Sequence, residues 1–477
     1  MCGIVGIIGG EPVSQLIYHS LFAIQHRGQS SAGKLTYDGN IHVTKDAGLV
    51  RDVFNDEKKI LTPGTIGIGH TRYSTAGMDD IESLKKNAQP EYIVNPFLAA
   101  VHNGNVYNGA EIAKTIKRKP RTDCDIQLLL LPMAEELYKK ELTVENIFEA
   151  CKNIMLRVKG SYSVLFLADS GDNPFLFAMT DPRKIRPLVL GKSNGMTCFA
   201  SETRMFKRIN FEYVKDIPGG SVVIIDKEGK IFEKQLIKKP ELPCMFEFVY
   251  FAKPDSRIND RSIHKVRDEI GKLLAQEYPV NADIVIPVPE SGRRYALGYS
   301  RESGISIDEG IMKDKDERSF IQQTQESRDK IVEEGLSFIR SVLEGKRVVL
   351  LDDSIVRGTN MRKIVKGMRH AGASEVHVRI GCPPLIAPCY LGIDMRNKKE
   401  FIARDINGEI KDVDIIRKDI DADTLGYISM KGLKKAIGFD ICRGCIDFPK
   451  GYPPEMQNDV KKMYENNKTD KRAYECC

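Results

Sequence analysis

The sequence predicts two unlike halves: a β-rich α+β half over residues 2–235, then an α/β half with a mostly parallel sheet over residues 236–455. Three observations carry this. Short apolar runs between turn residues crowd the first half. Strand-like and helix-like segments alternate in the second, as expected for a parallel sheet flanked by helices. Between them, residues 237–243 carry two prolines and no period, which reads as a linker.

In the first half, residues 3–8 read as a strand and residues 14–26 have helical apolar spacing. Residues 65–70, 98–102, 163–168, 175–180 and 195–200 read as strands, and 221–225 with 231–234 as a hairpin about Asp226-Lys227-Glu228-Gly229-Lys230. In the second half, helices are expected over 263–275, 333–343 and 360–371, and strands over 284–288, 347–351 and 375–380. Residues 456–477 read as a charged tail in which Cys476-Cys477 is exposed and incidental.

Composition narrows the function classes. A length of 477 residues suits two or three domains of roughly 150 residues each. The 72 basic and 66 acidic residues leave a net charge of +6, too balanced to argue for nucleic acid. Apolar runs such as 348–351 fall far short of the ~18 residues of a membrane span. The N-terminus lacks a basic signal-peptide region, so a cytoplasmic location is expected, without membrane or nucleic-acid partners. With no secretory signal, the 11 cysteines are to be read as core residues, nucleophiles or metal ligands rather than as a disulfide framework.

Cys2 follows the initiator Met1. Removal of Met1 puts a thiol and a free α-amine on one residue, and the amine can serve as base for its own side chain. Taken alone, Cys2 reads equally as a small apolar residue opening a strand. Its companions are His26-Arg27-Gly28, His70-Thr71-Arg72-Tyr73-Ser74-Thr75, His102-Asn103-Gly104-Asn105 and Thr122-Asp123-Cys124-Asp125. Hydrolysis of the glutamine amide by a thiol needs a cation for the α-carboxylate and a carboxylate for the α-ammonium. It also needs donors facing the oxyanion, and an Asn side chain beside a Gly N–H would serve. In this ordered set the chain resembles the N-terminal-nucleophile (class II) glutamine amidotransferases, through about residue 235. The resemblance implies stacked antiparallel sheets between helices. It makes Cys2 the nucleophile, Asn103 and Gly104 the oxyanion hole, and Arg72, Asp123 and Gly28 the glutamine-binding residues.

In the second half a buried strand ends in Asp352-Asp353 and turns through Ser354-Ile355-Val356-Arg357-Gly358-Thr359 into a helix. A loop at a helix N-terminus offers backbone N–H groups to an anion, and Ser354 and Thr359 add hydroxyls. The two carboxylates stand at the C-terminal edge of the sheet, suited to ribose hydroxyls directly, through metal or through water. The stretch resembles the phosphoribosyl pyrophosphate (PRPP) motif of type I phosphoribosyltransferases. The resemblance assigns Asp352 and Asp353 to the ribose diol and Mg²⁺, and Ser354, Arg357, Gly358 and Thr359 to the 5-phosphate. Pro287-Val288-Pro289-Glu290-Ser291-Gly292 then becomes the pyrophosphate loop, with Ser291 near the metal and Glu290 where Asp is usual.

A thiol glutaminase followed by such a transferase resembles the amidophosphoribosyltransferase family, which opens purine biosynthesis. Residues 250–256, Gly392-Ile393-Asp394 and Leu425-Gly426-Tyr427 also match. The family implies a homotetramer restrained by purine nucleotides. Cys442-Arg443-Gly444-Cys445 alone reads as a zinc half-site, a redox pair or coincidence. One family branch carries a 4Fe–4S cluster, and its ligand positions fall here on Cys244, Cys389, Cys442 and Cys445, a thiolate set that suits iron–sulfur or zinc. Cys124, Cys151, Cys198 and Cys382 read as core residues.

Three other readings compete: a paralogue that keeps the fold without transferase chemistry, and amidotransferases making glucosamine phosphate or asparagine. Asp352-Asp353 argues against the last two. One departure favours the first. The loop that covers PRPP in the family reads here Lys313-Asp314-Lys315-Asp316-Glu317-Arg318-Ser319, then Phe320-Ile321. Its three acids would repel a polyanion, so the loop is expected to close less tightly and to couple the half-reactions less well.

Overall fold

The computed structural model describes residues 1–73, 80–171, 173–313, 335–395, 398–405 and 408–466. Ser74, Thr75, nearly all of the 313–321 loop and Cys476-Cys477 lie outside the described residues.

The first half is a four-layer helix–sheet–sheet–helix stack. One sheet runs, strand beside strand, Glu212–Asp216, Val189–Ser193, Met196–Ala200, Gly3–Ile8, Ile66–Arg72, Ser31–Tyr37 and Ile41–Ala47. The other runs Ile231–Gln235, Ser221–Ile225, Phe175–Thr180, Gly160–Asp169, Phe97–Val106 and Glu91–Ile93. Every pairing in both is antiparallel. The period-two pattern explains the layers. Ile4 and Ile8 join Val101, Leu165 and Leu176 in the core between the sheets. Val5 and Ile7 face the other way and pack with Ile17 and Leu21 of the helix Ser14–Ala23. Helices Gln127–Leu137 and Val144–Arg157 cover the far face of the second sheet.

The second half holds a parallel sheet in the order Ile284–Pro287, Arg347–Asp352, Glu375–Ile380, Thr424–Tyr427. The helices Ile263–Glu277, Arg293–Ser303, Thr359–His370 and Met430–Ile437 pack around it. Its central strand buries Val348–Leu351 completely and delivers Asp352 at its C-terminal end. The core continues into the first half through Met1, Tyr107 and Ile185.

One expected element is different. Among the described residues of the stretch expected as a helix over 333–343, Leu336–Phe338 is a strand paired antiparallel with Ile311–Lys313, and the helix is confined to Arg340–Leu343. Tertiary pairing overrides a local helical pattern here, because Phe338 packs against Gly367 of the Thr359–His370 helix. The charged tail begins as a helix, Gln457–Asn466, which buries Val460 and sets Tyr464 against Phe448. Among the described residues no helix is long and apolar enough to cross a membrane.

Candidate active site

Cys2 begins the edge of the first sheet's central strand and is almost wholly buried. Its main-chain nitrogen donates to Asn103 Oδ1 at 3.0 Å, and its Sγ lies 4.0 Å from the Tyr73 carbonyl. Asn103 and Gly104 come from Phe97–Val106 in the second sheet, so the sheet stacking brings strand ends 101 residues apart into one place. Asn103 Nδ2 is buried and meets no acceptor among the described residues. That orphan donor beside a thiol is the kind of group an oxyanion would satisfy. Gly104 sits at φ +156°, where a side chain would collide with the Ser161 carbonyl.

Arg72 is buried at the end of Ile66–Arg72, and Gly28 lies extended against the main chain of Thr71 and Arg72. Asp123 stands exposed in the turn before Gln127–Leu137. Two residues on, Asp125 has its Oδ1 3.3 Å from His102 Nδ1. Burial works against a charge on His102, but Asp125 outweighs it and holds the imidazole pKa above its ordinary value. His70, also buried and next to Arg72, is pushed down to about 3.

Sequence reasoning passed over the network that clamps the thiol residue. Arg27, fully buried, donates from Nε to the Cys2 carbonyl at 3.1 Å. Its other nitrogens bind Glu202 at 2.6 Å and Glu247 at 2.6 and 3.0 Å. Glu202 also accepts from His26 Nε2 at 2.8 Å, Ser256 Oγ at 2.8 Å and the Lys253 amide at 3.1 Å. Burial opposes its charge, but His26 and Arg27 hold its carboxyl well below the usual range. One sign was available: Glu247 is a lone acid in the apolar run Met245–Val249, and a buried acid needs a cation.

In the second half, Ser291 Oγ donates to Asp352 Oδ1 at 2.9 Å, as does the Asp353 amide at 2.8 Å, and Ser354 Oγ donates to Asp353 Oδ2 at 2.6 Å. Burial pushes both carboxyls up, and for Asp352 the neighbouring Asp353 adds to it. Gly358 turns the chain at φ +76° into Thr359–His370, with Thr359 exposed at its first position. Arg357 is half-exposed and paired with Glu400 at 3.0 Å. Aromatic rings join the two places. Tyr73 meets Phe251 edge-on at 6.5 Å and Phe251 meets Tyr250 at 5.4 Å. The Tyr250 hydroxyl is pushed up to about 12 by burial and then by Asp353.

The four cysteines expected to act together are brought together. Cys244 and Cys442 form a parallel bridge, with Met245 N donating to Cys442 O at 3.1 Å and Cys442 N to Pro243 O at 2.9 Å. Ile386 N donates to Cys445 O at 2.8 Å, and Leu391 N to Cys389 Sγ at 3.3 Å. All four are buried free thiols. Burial, then Cys389 and Cys244 among the neighbours, pushes Cys445 up, and Cys244 is raised to about 11. Cys382 sits beside them, its Sγ 3.9 Å from Met245 Sδ. Among the described residues no three acidic, histidine or cysteine side chains are arranged around a single ion position.

A double-sheet half with a buried N-terminal thiol, joined to a parallel-sheet half with paired aspartates before a helix, defines a two-site transferase. The description "glutamine amidotransferase domain" matches residues 72–208, and "phosphoribosyl transferase domain" matches residues 256–382. The chain is 43% identical to the amidophosphoribosyltransferase of Methanocaldococcus jannaschii, over 96% of this chain and 98% of that one. It is 39% identical to amidophosphoribosyltransferase 2, chloroplastic, of Arabidopsis thaliana, over 97% and 81% of the two chains. Glutamine PRPP amidotransferase from B. subtilis, solved with ADP and GMP, superposes with a TM-score of 0.84 at 35% identity, covering 95% of this chain and 97% of that one. The chain belongs to the amidophosphoribosyltransferase family.

Proposed function

We propose that the chain makes 5-phosphoribosylamine from glutamine and PRPP at two sites joined by the Tyr73–Phe251–Tyr250 contacts. The observation that carries this is that the Cys2 thiol residue and the orphan donor of Asn103 meet in one half, while paired acids before a helix N-terminus stand in the other. Arg72 binds the glutamine carboxylate, with Asp123 as the motif's carboxylate for the ammonium and Gly28 lining the site. The Cys2 thiolate attacks the amide carbon while Asn103 Nδ2 and the Gly104 N–H hold the oxyanion. The tetrahedral adduct collapses to a thioester and releases ammonia, and water then frees glutamate from Cys2. Ammonia adds to ribose C1 of PRPP, the C1–O bond breaks, and pyrophosphate leaves with the electron pair. Asp352 and Asp353 hold the ribose diol, and Ser354, Arg357, Gly358 and Thr359 the 5-phosphate.

Two buried like-charged carboxylates beside Ser291 suit a divalent cation. Mg²⁺ held there would neutralise the leaving pyrophosphate. Four buried thiols with no histidine among them suit a 4Fe–4S cluster at Cys244, Cys389, Cys442 and Cys445, which takes one thiolate per iron and so needs no common ligand point. Anaerobic purification should give a brown protein with about four irons per chain, and stoichiometric zinc would reject the cluster. The family further supports a cytoplasmic homotetramer inhibited by purine nucleotides, which light scattering and nucleotide titration would test.

The deciding experiment is pyrophosphate release from PRPP with glutamine or with ammonia. Cys2→Ala should abolish the glutamine-dependent rate and keep the ammonia-dependent one. Loss of both in a folded variant would contradict the division into two sites. The paralogue reading draws no support from relatives of about 40% identity along nearly the whole chain.

A further inference from the structure

The oxyanion donors do not stand by themselves. They are braced by a strap from the other half of the chain. Asn105 and Ser161 are cross-strand partners, the pair next to Gly104 and Tyr162, and both reach outward. Asn105 Nδ2 donates to the Tyr390 carbonyl at 2.9 Å, and Ser161 Oγ to the Leu391 carbonyl at 2.8 Å. The fully buried Arg186 guanidinium also donates to Leu391 O. The next residue, Gly392 at φ +95°, lies on Gly104 itself: a Cβ there would stand 2.9 Å from the Gly104 carbonyl and 3.1 Å from Arg186 Nη2.

The strap is tied down on its own side as well. Tyr390 N donates to the Tyr452 hydroxyl at 3.2 Å, and that hydroxyl donates to Pro388 O at 3.1 Å. Cys389, one of the four gathered cysteines, opens the strap, and its sulfur accepts from Leu391 N. A chain segment fixed at its base, bonded through two consecutive carbonyls to the cross-strand pair next to Gly104 and packed through Gly392 on Gly104 itself, has one mechanical consequence. It sets where the Gly104 N–H and the Asn103 side chain point.

We propose that residues 389–392 of the transferase half are a positioning element for the oxyanion donors of the glutaminase half, acting through Asn105, Ser161 and Gly392. This rests on the roles assigned above to Asn103 and Gly104. Oxyanion donors act on the transition state and not on bound glutamine, so the signature is specific. A small displacement of such donors lowers kcat and leaves KM in place.

The test compares Ser161→Ala, Asn105→Ala and Gly392→Ala in the full-length protein. Glutamine hydrolysis, ammonia-dependent pyrophosphate release and Tm are measured side by side. The proposal expects glutaminase kcat to fall by at least about tenfold in each, with the KM for glutamine and the ammonia-dependent rate unchanged. An unchanged glutaminase kcat, or equal losses of both activities that follow Tm, overturns it. Gly392→Ala is the severest change. If it fails to fold, the two polar deletions decide, since each removes one hydrogen bond and adds no atom. A wild-type chain whose glutaminase does not depend on Cys2 would sink the underlying assignment instead, so the two failures are distinguishable.

Discussion

The two candidate sites treat charge in opposite ways. Around Cys2 two buried groups have partners of the other sign: Arg27 lies between Glu202 and Glu247, and His102 faces Asp125. At the sheet edge in the second half two carboxylates of the same sign stand side by side, and burial raises both. These pairs of the first site are balanced as folded. The second carries surplus negative charge that only a cation or a proton can relieve.

The largest effect should come from breaking the second site. Asp352→Asn combined with Asp353→Asn should lower pyrophosphate release at least about a hundredfold with either nitrogen source, and leave Cys2-dependent glutamine hydrolysis in place. Ammonia-dependent turnover at the wild-type rate would show that the ribose does not bind there.

The mated site should break by unfolding. Glu247→Gln leaves Arg27, fully buried, one carboxylate short. Removing one partner of a buried pair costs about 3–5 kcal/mol. The exposed pair Lys215–Glu233 offers the contrast: Glu233→Gln should cost no more than about 1 kcal/mol. Urea titration of both variants measures the difference, and equal midpoints would mean that Arg27 finds other compensation.

These two sites also differ in how far the sequence exposes them. Asp352-Asp353 stands out because the acids end an apolar strand and precede a glycine turn, all within a few residues of sequence. The strands at Gly3–Ile8, Phe175–Thr180 and Glu375–Ile380 follow from the same kind of local pattern. The Arg27 network is not local. Its partners lie 175 and 220 residues away, and only the folded chain brings them together. The strap at 389–392 meets Asn105 across 285 residues. The strand Leu336–Phe338 was hidden for a related reason, since its pairing with Ile311–Lys313 decides its form. Asp125 is a subtler case. It lies two residues from Asp123 in the same motif, and which of them faces His102 depends on the turn before the helix.

Mg²⁺ should distinguish the two kinds of site by pH. Both carboxyls titrate above the unfolded value of about 4. The folded chain therefore binds their protons more tightly, and their contribution to stability is present below about pH 4 and lost as pH rises through the raised values. Above that window Mg²⁺ bound at this proposed site would take over the proton's role. At a hundred times its dissociation constant it should stabilise by about 2.7 kcal/mol. Thermal melts should show the gain at pH 8, a smaller one at pH 5, and none in the double Asn variant. A gain that survives in the double variant would place the cation elsewhere.

The smallest effect tests whether the first site is mated in the way its geometry suggests. The pKa of His102 is held above its ordinary value by Asp125. The stability this gives is fully present below the unfolded histidine value, about 6.5, and is lost as pH rises through the raised folded value. Asp125 is partly buried, which opposes its charge, yet His102 keeps its carboxyl below the ordinary range, so its share is lost only as pH falls into the acid region. The pair therefore contributes most near pH 6. Asp125→Asn should cost about 2 kcal/mol there, the value of a hydrogen bond between charged groups, and less at pH 9, towards which the charge on the imidazole is progressively lost. Urea midpoints at the two pH values give the comparison. A cost that is the same at both would mean that His102 is neutral throughout and that Asp125 serves the Val106 amide, 3.3 Å from its other oxygen, in place of the imidazole.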